Sequence, residues 1–550
     1  MDSIKINVLG IEKEYEKGTT LEVISKDFKD KFKYPILAGS INNKTVTLDT
    51  KIIRKCTVNF FDISSSNGNL VYQRGLCYIF SKAVRDVLNC DTRIMHTIDN
   101  GLYCEILTNN PISEVTTEKI KLRMKELNDK KIPITKIMVS RIDAIDYYEK
   151  INQQDKADSL RYISNSTISL YKLDDMLDFF YGVLPINTDV IDNYNLKYLK
   201  DNKVILLFPH IHMLDKALKY EKNEMKLNTI EENDKQLTNQ NINTSADLNK
   251  IISTGKYGDI IRISELLQNN NMLTIADTIS KNKNLKLILI AGPSSSGKTT
   301  SARKMSLLLR SKGLNPVPIS TDDFFIDVKK RELNSDGEPE KEKITVIDTN
   351  QFNNKVLDLL NGKEVYLPRF NFVEGKQELN SKPTKLEDNS VLIVEGIHAF
   401  NEELTEMIPD KNKFKIFICP LTPLNIDNHN LFSQEDNRLL RRIVRDNSTR
   451  GCSASTTLSM WKSVRNAEEQ NIFPFVSDAD AIINSSLSYE LGVLKTYAEP
   501  LLFSVSEDDP NYDEAIRLIN MFRVILGIPS ENVPQDSIIR EFIGGSCFKD

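Results

Sequence analysis

At 550 residues the chain is too long for a single hydrophobic core, so roughly two to four domains are expected. Its 40% hydrophobic and 27% charged content is that of an ordinary globular protein, and a formal net charge of −5 gives no general attraction to nucleic acid or anionic membranes. No apolar run approaches the ~20 residues of a membrane span, Met1-Asp2-Ser3 is not a signal-peptide start, and seven cysteines without a C-x-x-C spacing indicate reduced thiols in a cytoplasmic setting.

Residues 1–63 read as a small α/β unit. Lys5 to Leu9 alternates as a strand does, and Thr20 to Phe32 has helical periodicity with Thr20 as its N-cap. Further short strands fit Ile36 to Ala38 and Val58 to Phe61, and Ser64 to Gly68 reads as a linker. This layout resembles the ubiquitin-like TGS module at the front of threonyl-tRNA synthetases.

The resemblance continues through residues 64–220. Tyr72 to Leu88, Ile98 to Tyr103, Ile132 to Thr135, Ser140 to Ile145, Ile168 to Lys172 and Asp178 to Gly182 look like the synthetase's α+β editing-type domain. That family places H-x-x-x-H and a later Cys and His there. The first pair falls on Arg74 and Tyr78 in this chain, and the second on Phe180 and Leu184. A zinc site needs about four N, S or O ligands, so no metal chemistry is expected at these positions. His210 and His212 would share one face of an extended segment, but no acid or cysteine stands beside them, and local structural roles are expected. Cys77, Cys90 and Cys104 read as small buried hydrophobes.

Residues 221–283 are expected to connect this front to the next domain. Glu221 to Ala246 is the most polar stretch and reads as a linker or surface insertion. Leu248 to Ser280 regains helical periodicity through Ile260, Ile261, Ile263, Leu266 and Leu267.

The apolar run from Leu285 to Ala291 ends in Gly292-Pro293-Ser294-Ser295-Ser296-Gly297-Lys298-Thr299, then Thr300. This fits G-x-x-x-x-G-K-[ST]. Glycines let the backbone curl so that its N–H groups face phosphate oxygens, Lys298 reaches the β- and γ-phosphates, and the Thr299 hydroxyl can ligate Mg²⁺. A helix from Thr300 to Lys312, stopped by Gly313, would turn its N-terminus on the same phosphates.

Asn315 to Ser320 reads as a strand that delivers Asp322 and Asp323, and an acid at that edge of a sheet beside a P-loop is a candidate base for an attacking hydroxyl. Two adjacent acids would equally suit a helix cap. Val391 to Val394 is a buried strand ending in Glu395, placed for Mg²⁺. Phe414 to Cys419 and Ala479 to Ile483 complete a five-stranded, doubly wound parallel sheet. Asp436 to Arg450 carries Arg438, Arg441, Arg442, Arg445 and Arg450 and no lysine, which suits a lid making planar phosphate contacts.

Together, GPSSSGKTT, STDDFF, VEGIHAF and RLLRRIVRDNSTRG resemble the uridine kinase/phosphoribulokinase family over about Leu285 to Leu501. The resemblance implies a P-loop kinase domain at 284–505, a helical tail at 506–550, ATP and Mg²⁺. It further implies Asp322 as base for the hydroxyl, Lys298, Arg441, Arg442 and Arg445 on the transferring phosphoryl group, and Thr299 with Glu395 around the metal. Asp348 matches the acid that holds ribose hydroxyls, and Phe370 and Arg450 fall on the acceptor side. The family's Tyr-Asp-Phe and following His are Phe370-Asn371-Phe372 and Gly375 here, so the base-reading groups are gone and uridine itself is in doubt.

The expected function is ATP-dependent phosphoryl transfer to a hydroxyl of a small molecule, a nucleoside or sugar alcohol. The alternative is an RNA-associated regulator that uses the P-loop as a nucleotide switch. Against it, the net charge is negative and no dense basic–aromatic stripe appears in residues 1–220. Residual aminoacyl editing is weakest, because its ligand positions are lost. The chain leaves homo-oligomerisation open.

Overall fold

The computed structural model describes residues 3–98, 101–211, 214, 218–333, 340, 343–371, 374–380 and 382–548. His212, Phe372, Asp99 and Asn100 lie outside them. The first unit contains β1 (Ser3–Val8), β2 (Ile11–Glu16), α1 (Leu21–Lys26), β3 (Ile36–Ile41), β4 (Lys44–Val46) and β5 (Thr57–Asp62). Its sheet runs β2-β1-β5-β3-β4 with β1 parallel to β5. Thr20 caps α1 by accepting from the Val23 N–H, and Leu21 and Ile24 share a core with Ile6, Val8 and Val58.

The stretch expected as a linker is instead the start of a long helix, α2 (Ser66–Leu88). Ser65 accepts from the Gly68 N–H, and a Cβ at Gly68 would overlap the Asp62 carbonyl. Serine and glycine here serve a cap and a close approach, the same residues that make a free linker. Then follow β6 (Asp91–Ile98), β7 (Gly101–Leu107), α3 (Glu114–Asp129), β8 (Ile134–Ser140), α4 (Arg141–Lys150), α5 (Gln154–Arg161), β9 (Thr167–Leu173), β10 (Met176–Asp178), β11 (Asn195–Lys200) and β12 (Lys203–Leu207). They form antiparallel sheets β11-β12-β7-β6 and β10-β9-β8, with Tyr72, Leu76 and Phe80 of α2 in the shared core. Cys77 and Cys104 are buried in that core, and burial pushes the Cys77 thiol up to about 12.

The polar stretch after residue 221 also differs from expectation. It forms α6 (Glu224–Asn239), because its few apolar residues include Leu227 and Ile230, which fall on one face and are buried beside the next sheet. A single narrow stripe suffices when a neighbouring domain covers it. Helices α7 (Ser245–Ser253) and α8 (Tyr257–Lys281) lead onward.

The second half contains β13 (Leu287–Ala291), α9 (Lys298–Ser311), β14 (Asn315–Ser320), α10 (Thr349–Leu360), β15 (Pro368–Asn371), β16 (Lys376–Leu379), β17 (Ser390–Glu395), β18 (Lys413–Cys419), α11 (Gln434–Arg450), α12 (Ala454–Asn471), β19 (Ala481–Asn484), α13 (Glu490–Phe503), α14 (Tyr512–Phe522) and α15 (Arg540–Ile543). Its parallel sheet runs β14-β17-β13-β18-β19. Central β13 is buried on both faces: Leu287, Leu289 and Ala291 join one core, and Ile288 and Ile290 the other. This double covering is why the strand reads as unbroken apolar sequence.

A buried polar seam joins the halves. The segment 421–433 reaches the front, where Asn425 donates to the carbonyls of Ile94 and Met95 at 3.0 and 2.6 Å, and Asn430 donates to that of Phe179 at 2.9 Å. The Nδ1 of His429 meets both Asp178 and Lys156, which are paired with each other, while its Nε2 meets Thr92 and its backbone N–H donates to Asp427. Burial, reinforced by the Lys156 charge, holds its imidazole well below the usual range.

Candidate functional site

The loop after β13 curls because two of its residues are left-handed, Ser295 at φ 60° and Gly297 at φ 91°. Gly292 is fixed by a close approach, since a Cβ there would overlap the Ile418 carbonyl on β18. The hydroxyls of Ser295 and Ser296 are buried with no partner among the described residues. Lys298 folds back on its own loop, donating to the carbonyls of Gly292 at 2.8 Å and Pro293 at 3.0 Å. Burial pulls its pKa down, against the opposing pull of Glu395, Glu541 and Asp322.

Ser294 to Thr299, Asp322, Glu395, Arg442, Arg445 and Arg450 line one cleft of about 250 Å³, together with Phe325 and Glu541. The cleft lies at the C-terminal edge of the sheet, where open α/β folds hold ligands. Asp322 follows β14 in a short turn capped by Ser320. Burial raises its pKa, partly offset by Lys298. Glu395 ends β17 and accepts from the Ser320 hydroxyl at 3.1 Å. Burial and the nearby Asp322 charge push its carboxyl up to about 7.

The arginines divide into two groups, which the sequence did not separate. Arg442, Arg445 and Arg450 all reach buried Asp446, at 3.1, 3.1 and 3.3 Å, and remain on the cleft wall. Arg442 also donates to the Ser294 hydroxyl at 2.7 Å. Arg441 corrects the expectation of a phosphate-facing lid residue. It is fully buried, its fork is taken by Glu490 at 2.9 and 2.6 Å, and it donates to the Ser295 carbonyl at 3.3 Å. Arg438 is similar: it pairs with Glu468 at 2.6 Å and reaches the Ser294 carbonyl at 3.2 Å. Glu468 in turn accepts from the Ser294 N–H at 2.8 Å. Burial alone would raise the Glu468 pKa, but Arg438 and Arg465 outweigh it and lower it. These two pairs brace the loop from its protein side.

Asp348 and Phe370 are not among the residues lining this cleft. Asp348 caps α10 by accepting from the Gln351 N–H at 2.8 Å. Phe370 is buried edge-on to Phe325 at 5.6 Å, with Arg331 over both rings at 5.3 and 5.0 Å. Phe325, between Phe370 and the cleft, is the aromatic wall.

Thr300 has an occupant at its end of the helix. Its N–H and hydroxyl donate to Glu541 of α15 at 3.2 and 2.8 Å. Ile538 closes over Gly297, where a Cβ would lie 2.5 Å from its side chain, and Phe542 lies under Arg441 at 5.1 Å. Sequence reasoning missed Glu541, Asp446, Glu468 and Glu490, because no local motif marks them.

The donor set contains only hard oxygens: the Thr299 hydroxyl and the carboxylates of Asp322 and Glu395. It fits Mg²⁺, which takes one or two carboxylates and completes its shell with phosphates and water. Among the described residues no group of three or more His, Cys, Asp or Glu side chains could hold a metal ion alone. No helix among them is long and apolar enough to cross a membrane.

Residues 287–490 match the phosphoribulokinase/uridine kinase family. The N-terminal region is similar to threonine–tRNA ligases. The chain is 28% identical over 199 residues to threonine–tRNA ligase 1 of Bacillus subtilis, covering 36% of this chain and 31% of the ligase. It is 26% identical over 175 residues to the ligase of Acetivibrio thermocellus, covering 32% and 28%. The chain therefore spans less than a third of the length of these two relatives. Among solved structures, one described as a possible uridine kinase from Bacillus stearothermophilus aligns at 18% identity over 39% of this chain and 97% of that chain, with a TM-score of 0.27.

Proposed function

We propose that this chain transfers the γ-phosphoryl group of ATP to a hydroxyl of a small molecule, with nucleosides and related sugar alcohols as the acceptor class. The observation that supports it is the meeting, in one cleft, of an anion-binding loop, the carboxylates of Asp322, Glu395 and Glu541 and three arginines beside a kinase-family sheet. The loop N–H groups and Lys298 receive the β- and γ-phosphates. Asp322 takes the acceptor's hydroxyl proton, and its burial raises its basicity for that task. Thr299 and Glu395 hold Mg²⁺, which when bound neutralises charge on the phosphate oxygens. Arg442, Arg445 and Arg450, oriented by Asp446, stabilise charge as it spreads over the transferring group. Arg441 acts as a positioning residue beneath the loop. Because Glu541 uses the Thr300 donors that a phosphate would engage, its carboxylate must leave as nucleotide binds.

The test is a screen of the purified protein with ATP and Mg²⁺ over nucleosides and sugar alcohols, followed by ³¹P NMR. A new phosphomonoester with one acceptor class is expected. A flat panel alongside measurable ATP binding would overturn the kinase reading in favour of the nucleotide switch. That second reading draws on the ligase similarity and requires salt-sensitive retention of tRNA on filters.

A further inference from the structure

A second cleft of about 430 Å³ opens where several segments of the chain meet. Lys44 and Thr45 come from β4, Asn67 and Arg74 from α2, Phe179 to Val183 from the segment after β10, and Asp513 to Arg523 from the region of α14. None of the residues given a role in phosphoryl transfer lines it.

Arg74 is the notable group. Its guanidinium lies flat against Gly182, where a Cβ would overlap it, and its hydrogen bond is a long one of 3.4 Å to the Val183 carbonyl. An arginine offers five N–H donors, so most of its capacity is unused. It forms no salt bridge among the described residues, and burial, with Arg517 nearby, pulls its pKa down to about 10. Lys44, Lys136 and Arg523 on the same walls form no salt bridge among the described residues either. Arg517 is already paired with Asp436 and Glu514. The acid in the wall, Asp513, accepts from the Thr45 N–H at 2.8 Å and from Asn67 at 2.6 Å. Phe179, Phe180, Ile163 and Ile516 supply apolar surface beside this excess of positive charge.

We infer that this cleft is a binding site for a small organic anion, a carboxylate or phosphate carried on an apolar, ring-sized body. A half-buried guanidinium that forms no salt bridge among the described residues, with Asp436 and Asp513 acting on it only at longer range, leaves its planar fork open to an anionic head group that can meet it with two parallel hydrogen bonds. The aromatic and aliphatic walls take the body. The inference is independent of the kinase reading, since it uses none of its residues.

The test is calorimetric titration of the full chain with phenyl phosphate, benzoate and phenol. One phenyl phosphate or benzoate should bind per chain, and the tighter of the two names the head group. Phenol, lacking the charge, should bind at least about tenfold more weakly. Arg74→Gln should weaken the charged probes by about tenfold or more, and Gly182→Ala should do the same by displacing the guanidinium while keeping it in the protein. Lys298→Met should leave them unchanged. Undiminished binding in both front variants, phenol binding as tightly as phenyl phosphate, or loss only in Lys298→Met would overturn the inference. The last would place the anion at the P-loop.

Discussion

In the nucleotide cleft the arginines are ion-paired to a carboxylate inside the protein, whereas Arg74 in the front cleft forms no ion pair among the described residues. Arg442, Arg445 and Arg450 share Asp446, and beneath the loop Arg438 holds Glu468 while Arg441 holds Glu490. Arg74 meets the Val183 carbonyl and the bare backbone of Gly182. Even the N-terminal end of the P-loop helix has an internal anion, Glu541 on Thr300. A site whose charges are balanced from within can be held rigid and exchange an internal carboxylate for a phosphate. A site with unbalanced charge must find its counter-ion outside.

The largest effect comes from making the first region resemble the second. Glu490→Gln leaves Arg441 buried without its countercharge and should lower unfolding stability by about 3–5 kcal/mol. A urea denaturation series measures this. An unchanged midpoint and slope would show that the pair beneath the loop contributes nothing to stability.

The seam between the regions gives the next effect. His429 is kept neutral by burial and by Lys156, with Asp178, Asp427 and Thr92 facing it. Its folded pKa lies below the unfolded value of about 6.5, so below that pH the unfolded chain binds more protons. Stability should be level in this respect above about pH 6.5 and fall as pH drops, by about 2 kcal/mol at pH 5. The raised carboxyl of Glu395 contributes in the opposite sense over the same window, so the slope is read as a difference: in urea midpoints across pH 5 to about 7.5 the wild type should lose stability relative to His429→Gln as pH falls. An identical slope in the variant would remove the seam histidine from the account.

The smallest effect concerns the internal anion. Glu541→Ala frees the Thr300 donors and should lower the KM for ATP by about fivefold with kcat nearly unchanged. A raised KM would show that the tail carboxylate assists nucleotide binding instead of yielding to it.

The parts legible in sequence were those set by local chemistry. The P-loop octet, Asp322 and Glu395 stand at strand ends whose apolar runs mark a sheet covered on both faces, and the structure assembles them in one cleft. The arginine run was legible as a cluster, but its division was not. Whether an arginine faces phosphate or a carboxylate depends on Glu468, Glu490 and Asp446, and two of these sit on helices packed from elsewhere. Glu541 was hidden for the same reason, because the tail returns across the molecule to reach Thr300. Asp348 and Phe370 matched a pattern of residue types, yet one caps a helix and the other lies behind Phe325. The cationic cleft in the front could not be read, since α14 and β4 complete it only in the folded chain. Helix α6 was read as a linker because composition averages over its two buried apolar residues, Leu227 and Ile230, and averages conceal a single stripe.

The central claim is that the nucleotide cleft performs phosphoryl transfer with Asp322 as the base. The most direct measurement compares the wild type with Asp322→Asn for ATP affinity by calorimetry and for phosphate transfer to the acceptor found in the screen. The account predicts unchanged ATP affinity within about twofold and a loss of transfer of about 10²–10⁴-fold. Transfer at the wild-type rate in Asp322→Asn would contradict it.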